Sequence, residues 1–225
     1  MRRLDGVGLC PELTTSSNEL FASSSVRLPG DHIEFLKLAN GALSCQGYVR
    51  LFGVACSGCT DLRAWNARDT WKFAWPQHVM RYLAFGETAW GDQYAYDVSA
   101  LLHEDTSVFA LDAFEMQPER IAATFSDFLR NEFLRQAAEP YDSMTERVLK
   151  RIGSLSWNEH VTYVPSLLLG GEERIENVQK INARAGMIIN GDIATQSAEE
   201  PDRSPAAIET YTDDAGRTRV RLRWR

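Results

Sequence analysis

Two segments of the chain carry apolar residues at the spacing of an α-helix. In residues 29–39, Ile33, Phe35 and Leu36 supply the apolar face, and Asn40-Gly41 provides a left-handed stop after it. The stripe in residues 125–137 comprises Phe125, Phe128, Leu129, Phe133 and Leu134. The pattern therefore predicts one helix in each segment.

Between these two segments, apolar and polar residues alternate over short runs, which is typical of β-strands. The runs are residues 48–53, 82–85, 93–97 and 107–111. Because the connections between the last three runs are short, an antiparallel meander is favoured over parallel strands. The order of helix, strands and helix predicts an α+β fold, mainly an antiparallel sheet packed by helices.

The pattern changes after Pro140, and we predict a first domain over residues 1–140 and a small C-terminal α/β extension over residues 141–225. In the extension, Pro165 interrupts an apolar run and Asn190-Gly191-Asp192 predicts a turn. The predicted elements are a helix over 145–152, an extended segment over 161–169, a helix over 172–183 and a terminal hairpin of 208–212 with 218–224.

Composition places the chain among globular proteins. Of its 225 residues, 44% are hydrophobic and 24% are charged, and no apolar run is long enough to span a bilayer. The first residues lack the apolar stretch of a secretory signal, so we expect a cytoplasmic protein. In that compartment the four cysteines, Cys10, Cys45, Cys56 and Cys59, are expected as thiols.

Acidic residues are concentrated in the middle of the chain. Residues 82–119 hold eight acids and no lysine or arginine, within a chain of net charge −7. Such a stretch repels phosphate, which argues against direct nucleic-acid binding there, and it attracts cationic surfaces. A solvated acidic face with no partner explains the same pattern, and the sequence leaves both interpretations open.

Three motifs together resemble the SMI1/KNR4, or SUKH, superfamily. They are LPGDHIEFL from Leu28 to Leu36 followed by Asn40-Gly41, GDQYAYD from Gly91 to Asp97, and the Phe125-Ser126…Phe128-Leu129 helix start. They are similar to the family's L-P-x-D-x-x-x-F-L-x-x-x-N-G, G-D-x-x-x-x-D and S-F-x-x-F-L patterns and occur in the family's order. The tryptophan-rich insertion between Gly41 and Gly91 matches no family pattern.

A second resemblance lies in the C-terminal extension. The segment from Tyr163 to Gly171, YVPSLLLGG, is similar to the end of certain immunity proteins linked to type VI secretion.

The resemblance implies a binding function without chemistry. Bacterial SUKH proteins resemble immunity proteins encoded beside polymorphic toxins, often nucleases, which they capture by shape and charge. It implies no enzymatic activity, no cofactor, and a cognate, basic toxin as partner, with neither nucleic acid nor membrane bound directly. The partner-binding residues expected on this basis are Glu87, Asp92, Glu104, Asp105, Asp112, Glu115 and Glu119. Eukaryotic relatives resemble regulators, so an adaptor or scaffold is the alternative.

The Cys56-Ser-Gly-Cys59 motif is the main indication of possible chemistry. A CxxC pair can be half of a zinc site or a redox pair, but a structural zinc needs two further ligands, which only Cys10, Cys45 or a distant histidine could supply. The sequence holds no second CxxC, and ordinary packing is favoured, with no metal site assigned. A metal-dependent or thiol enzyme using this pair stays as a rival hypothesis.

The last strand alternates arginines with apolar residues. The arginines are Arg217, Arg219, Arg221, Arg223 and Arg225. Strand periodicity places them all on one face. They predict either an edge protected against strand addition, which we favour, or a contact for acidic groups in a partner or in residues 82–119.

Overall fold

The computed structural model describes residues 7–10, 27–56, 58–138 and 143–225. The strands are β1 (Gly8–Leu9), β2 (Ala42–Ser44), β3 (Val49–Leu51), β4 (Tyr82–Thr88), β5 (Gln93–Asp97), β6 (Val108–Leu111), β7 (Pro118–Ala122), β8 (Glu159–Tyr163), β9 (Val178–Asn182), β10 (Pro205–Thr212) and β11 (Thr218–Trp224). The α-helices are α1 (Gly30–Leu38), α2 (Leu62–Asn66), α3 (Val98–Leu101), α4 (Phe125–Phe128), α5 (Leu134–Ala138), α6 (Ser143–Ile152) and α7 (Ala183–Glu199).

Strands β1 to β7 form one antiparallel sheet in chain order. This confirms the predicted meander and the α+β class. Strands β8 and β9 form a separate two-stranded sheet, and β10 and β11 form the predicted terminal hairpin. β4 and β5 share the longest ladder of the main sheet, with a register shift between Ala84 and Gly86.

The two predicted helices pack on this sheet. Helix α1 begins after Pro29, buries His32 and Leu36, and is followed by Gly41 at φ +104°. The second helix runs through α4, π-helical turns at Leu129–Phe133, and α5. The side chain of Thr124 accepts from the backbone N–H of Asp127 at its start, as the capping pattern predicts.

The tryptophan-rich insertion is part of the core. Trp65, Trp71 and Trp75 are all buried beside Phe52 and Phe85 of the main sheet region. The large aromatic area removed from water explains why a segment with little regular secondary structure is held in place.

The C-terminal extension departs from the prediction in three places. The predicted extended segment over 161–169 is a strand only up to Tyr163, and a 3₁₀ turn follows at Leu167–Leu169. The predicted helix over 172–183 is a short 3₁₀ turn, Ile175–Asn177, followed by β9. The predicted turn at Asn190-Gly191-Asp192 lies inside α7 instead. The turn prediction was wrong because packing overrides local propensity: Gly191 sits against the Trp75 indole, where no side chain fits.

Helix α7 joins the extension to the main core. Ala183, Met187 and Ile188 belong to the same cluster of buried residues as the sheet. The indole Nε1 of Trp75 donates to the carbonyl of Met187 at 2.9 Å. The proposed boundary at 140/141 falls outside the described residues and stays a prediction.

None of the described helices has the length and apolar character that crossing a membrane requires.

Candidate partner-binding site

Glu87, the first of the predicted contact residues, lies in the interior. It is opposite Arg50 in the β3–β4 ladder, and its side chain has 0% exposure. A partner protein cannot reach a carboxylate in this position. The structure therefore corrects the prediction for Glu87, because sequence periodicity could not show that the C-terminal extension covers this part of the sheet.

Glu87 is held in a buried polar network. Its carboxylate lies 3.1 Å from Arg50 Nη2 and 3.1 Å from His160 Nε2, and it accepts a hydrogen bond from Gln93 Nε2 at 3.2 Å. Burial by itself raises the pKa of Glu87, but Arg50, His160 and Gln93 outweigh burial, and the pKa lies below its usual value. Burial has the largest effect on His160 and lowers its pKa, against the opposing effect of Glu87.

The same network ties the extension to the sheet. The guanidinium of Arg50 donates through Nη1 to the carbonyl of Ser156 at 2.9 Å and to that of Glu159 at 2.7 Å. His160 follows on β8, so three groups of residues 156–160 converge on one sheet position. The arrangement fixes the extension against the sheet and leaves no access for a substrate.

Asp92 lies partly exposed in a turn beside β5. Its Oδ2 accepts from the Thr88 hydroxyl at 2.6 Å, and its Oδ1 accepts from the backbone N–H of Ala113 at 2.9 Å. Burial raises the pKa of Asp92, and the two hydrogen bonds oppose this. Asp92 therefore joins the turn after β4 to the turn after β6, the turn that contains Asp112 and Glu115.

The remaining predicted acids lie in three places and do not form one patch. Glu104 and Asp105 are exposed in the connection before β6, whereas Asp112 and Glu115 follow β6 at its opposite end. Glu119 is exposed on β7, an edge strand of the sheet. The structure thus brings together Asp92, Asp112 and Glu115, but not the whole set.

A groove that sequence reasoning missed opens beside this acidic turn. The groove has a volume of about 310 Å³. We call it the acidic groove. The residues that line it include Trp90, Asp92, Phe114, Tyr163, Glu173 and Asn190. No lysine or arginine is among the described residues that line it.

Aromatic rings form the wall of the acidic groove. Trp90 and Tyr163 stack with ring centroids 5.1 Å apart and planes 15° from parallel. Phe114 on the other turn is 41% exposed. These residues come from the main sheet and from β8, so only the folded junction of the two parts creates the groove. The YVPSLLLGG segment carried a signal for it, since Tyr163 and Leu167 line the groove.

Three arginines of the last strand pair with acids of the extension. Arg219 donates from Nε to both carboxylate oxygens of Asp192 on α7, at 2.9 Å each. Arg217 pairs with Asp213, and Arg223 pairs with Glu209. On the other face, Val220 and Leu222 pack against Ile193. The acidic groups that these three arginines meet are therefore those of the extension, not those of residues 82–119.

The cysteines differ from the expectation of four thiols. Cys56 and Cys59 are joined by a disulfide, while Cys10 and Cys45 are free. Cys45 donates to the carbonyl of Gln136 at 3.1 Å, whereas Cys10 lies beside the disulfide.

Comparison with known families and structures agrees with the motifs. The model of the SMI1 / KNR4 family (SUKH-1) matches residues 18–131. A model described as T6SS immunity protein Tdi1, C-terminal, matches residues 121–194, a range that contains the β8 wall of the acidic groove. No curated protein matches the chain.

A solved structure has the same fold. The crystal structure of Atu4351 from Agrobacterium tumefaciens superposes with a TM-score of 0.55 at 17% sequence identity, over 96% of this chain and 94% of that one. The two family matches support an immunity-protein role, and since the first covers half of the sequence, the chain belongs to the SMI1/KNR4 family (SUKH-1).

Proposed function

We propose that this protein is an immunity protein that binds a cognate secreted toxin one-to-one in the cytoplasm and neutralises it by masking. The observation that carries the proposal is the acidic groove, which lies at the junction of the two regions that match immunity-related families. A groove with aromatic walls and carboxylates is the type of surface at which interface anchors concentrate.

The chemistry of the groove favours a cationic side chain of the toxin. Asp92 and Glu173 supply negative charge, and the Trp90–Tyr163 stack offers an aromatic surface. A guanidinium on such a surface gains about 0.5–2 kcal/mol from the ring, in addition to its hydrogen bonds to carboxylates. An arginine or lysine of the toxin is therefore the occupant that we propose.

The acids near the groove would act on the rate of encounter. Asp112 and Glu115 lie in the turn bonded to Asp92, while Glu104, Asp105 and Glu119 extend the negative field over other parts of the surface. A toxin with a basic surface, as a nuclease needs for its substrate, is attracted by this field. We therefore also propose that the toxin is a nuclease.

Masking without catalysis fits the placement of the ionisable groups. Glu87 and His160 are an acid and a base that lie together among the described residues, and their side chains are 0% and 3% exposed. General acid–base catalysis requires contact with the substrate, which this burial prevents. The proposal therefore assigns no catalytic residue.

The test is binding to the product of the adjacent reading frame, measured by calorimetry with wild type and two charge reversals. Glu173→Lys places a cation in the acidic groove and should weaken binding at least tenfold. Glu199→Lys is the matched control, because Glu199 is exposed at the end of α7 and is not among the groove-lining residues. Equal losses of affinity in both variants would show that the groove is not part of the interface. Binding of several weak partners instead of one would favour an adaptor.

A further inference from the structure

Three cysteine sulfur atoms converge at one edge of the main sheet. The Sγ atoms of Cys10, Cys56 and Cys59 all lie within 4.8 Å of one another, and all three residues are partly buried. Cys10 follows β1, whereas Cys56 and Cys59 lie in the loop after β3, so the fold and not the sequence brings the third sulfur to the CxxC pair.

Both segments contact the backbone at Asn40 and Gly41. The backbone N–H of Cys10 donates to the carbonyl of Gly41 at 3.0 Å, and Cys59 Sγ lies 3.5 Å from the neighbouring carbonyl oxygen of Asn40. The Asn40 side chain in turn bonds both the N–H and the carbonyl of Val54, at 2.8 and 2.9 Å. These contacts around Asn40, Gly41 and Val54 therefore hold the two segments that carry the three sulfurs.

Missing side chains make room for the sulfur of Cys59. A Cβ at Gly53 would lie 2.6 Å from Cys59 Sγ, and one at Gly41 would lie 3.4 Å from it. The loop itself is closed by Asp61, whose carboxylate accepts from the backbone N–H of Ala55 at 2.6 Å.

We propose that, once the Cys56–Cys59 bond is reduced, Cys10, Cys56 and Cys59 form a thiolate site for a d¹⁰ cation, Zn²⁺ or Cu⁺. Thiolates are the ligands that both ions prefer. The group holds no fourth histidine, cysteine or carboxylate among the described residues, so Zn²⁺ would complete its coordination with water and Cu⁺ would be trigonal. Such a site is independent of the immunity role and differs from the expectation that the CxxC pair only packs.

Reduction of the disulfide and binding of the cation need only the phosphine, water and the cation. A phosphine reductant takes oxygen from water and becomes the phosphine oxide, while the disulfide gains two electrons and two protons and becomes two thiols. Binding of the cation then releases up to three protons from the three thiols. Because the thiols must lose their protons to bind the cation, metal affinity should increase with pH.

The expected consequence is a crosslink between the first strand and the sheet. β1 pairs with β2 over only two residues, Gly8 with Leu43 and Leu9 with Ala42. A metal held by Cys10 and the 56–59 loop would fix this short strand.

The test measures Zn²⁺ and Cu⁺ binding to the full chain, reduced with a phosphine under argon, by competition with a chromophoric chelator. We expect one ion per chain and sulfur-to-metal charge-transfer absorption with Cd²⁺ as a spectroscopic probe. Cys10→Ser should lower the affinity at least about tenfold. Cys45→Ser, which removes a thiol outside the cluster, should leave the affinity unchanged. The ion that binds more tightly, Zn²⁺ or Cu⁺, is the cation that the site prefers.

Three results would overturn the proposal. They are absence of stoichiometric binding to the reduced wild type, equal affinity in Cys10→Ser and wild type, and equal affinity of reduced and oxidised protein. Circular dichroism of metal-free Cys10→Ser establishes that this variant folds. If it does not fold, Cys56→Ser, which leaves the Cys10 anchor to Gly41 in place, provides the same comparison.

Discussion

Arg50 and Glu87 face each other across the β3–β4 ladder as an ion pair with 3.1 Å between Nη2 and Oε1, and neither side chain is exposed. Charged groups are costly to bury, and the cost is met only when each has several partners. Here His160, Gln93 and the carbonyls of residues 156 and 159 supply them. The pair therefore makes the position of the C-terminal extension on the sheet specific.

Removing one partner of this pair should be strongly destabilising. Glu87→Gln leaves the Arg50 guanidinium buried without its counter-charge, and we expect a loss of about 3–5 kcal/mol in the free energy of unfolding. Denaturant unfolding followed by tryptophan fluorescence measures it. Glu34→Gln, at an exposed ion pair with Lys37, is the control and should change little. A loss in Glu87→Gln as small as that of the control would contradict the structural role.

His32 predicts how stability depends on pH. Its ring stacks on Phe125 with centroids 4.1 Å apart, and burial lowers its pKa to about 3. The unfolded chain binds this proton near pH 6.5 and the folded protein only near 3. Stability due to this group is therefore complete above pH 6.5 and declines by about 1.4 kcal/mol per pH unit below it.

His32→Phe tests this dependence because phenylalanine keeps the stacking and cannot titrate. The free energy of unfolding at pH 7.5, 6.0 and 5.0 should fall less steeply in the variant than in wild type. The difference between the two proteins isolates His32 from other titrating groups, such as Glu87. Parallel curves for the two proteins would show that His32 is not buried in its neutral form.

Gly191 predicts an exception to helix propensity. Alanine in a helix is usually more stable than glycine by about 1 kcal/mol. A Cβ at 191, however, would lie 2.7 Å from Trp75 Nε1, so Gly191→Ala should destabilise by about 1–3 kcal/mol. Gly30→Ala, where a Cβ meets nothing within 4 Å, is the control in α1. Thermal unfolding measures the stability of both variants. Stabilisation by Gly191→Ala would show that α7 packs differently.

The same glycine shows where sequence reasoning reached its limit. Local patterns predicted the meander and the Pro29-led helix because those elements bury one face with regular spacing. The predicted turn at 190–192 failed because Asn190-Gly191-Asp192 serves tertiary contacts, with Gly191 against Trp75 and Asp192 bonded to Arg219. For the same reason the charge pattern predicted Glu87 as a contact residue, although its partners, Arg50 and His160, lie far away in sequence.

The candidate site was predictable only in part. Periodicity and charge located Asp92, Asp112 and Glu115, which the fold does bring to one end of the sheet. The aromatic wall of the acidic groove was not predictable, because Trp90 and Tyr163 meet only when β8 packs beside the sheet. The sequence could not choose among Cys10, Cys45 and the histidines as neighbours of the CxxC pair, since Cys10 reaches the CxxC loop through β1 pairing.

Charge near the groove should act mainly on the association rate. Glu115 is exposed in the turn next to Asp92, so Glu115→Lys should slow association with a basic toxin severalfold at low salt and have little effect at high salt. Stopped-flow binding over a salt series measures this. Glu115→Gln should give a smaller effect of the same sign. A change confined to the dissociation rate, or one that persists at high salt, would contradict steering.

Growth of bacteria that express the toxin of the adjacent reading frame, as a function of the molar ratio of this protein to the toxin, tests the central claim most directly. Masking by one-to-one binding predicts that growth stays arrested below a ratio of one and recovers once the ratio reaches one. Recovery at a small fraction of one would show that each molecule inactivates many toxins, as an enzyme does. Arrest at every ratio would show that the protein is not the antidote to this toxin.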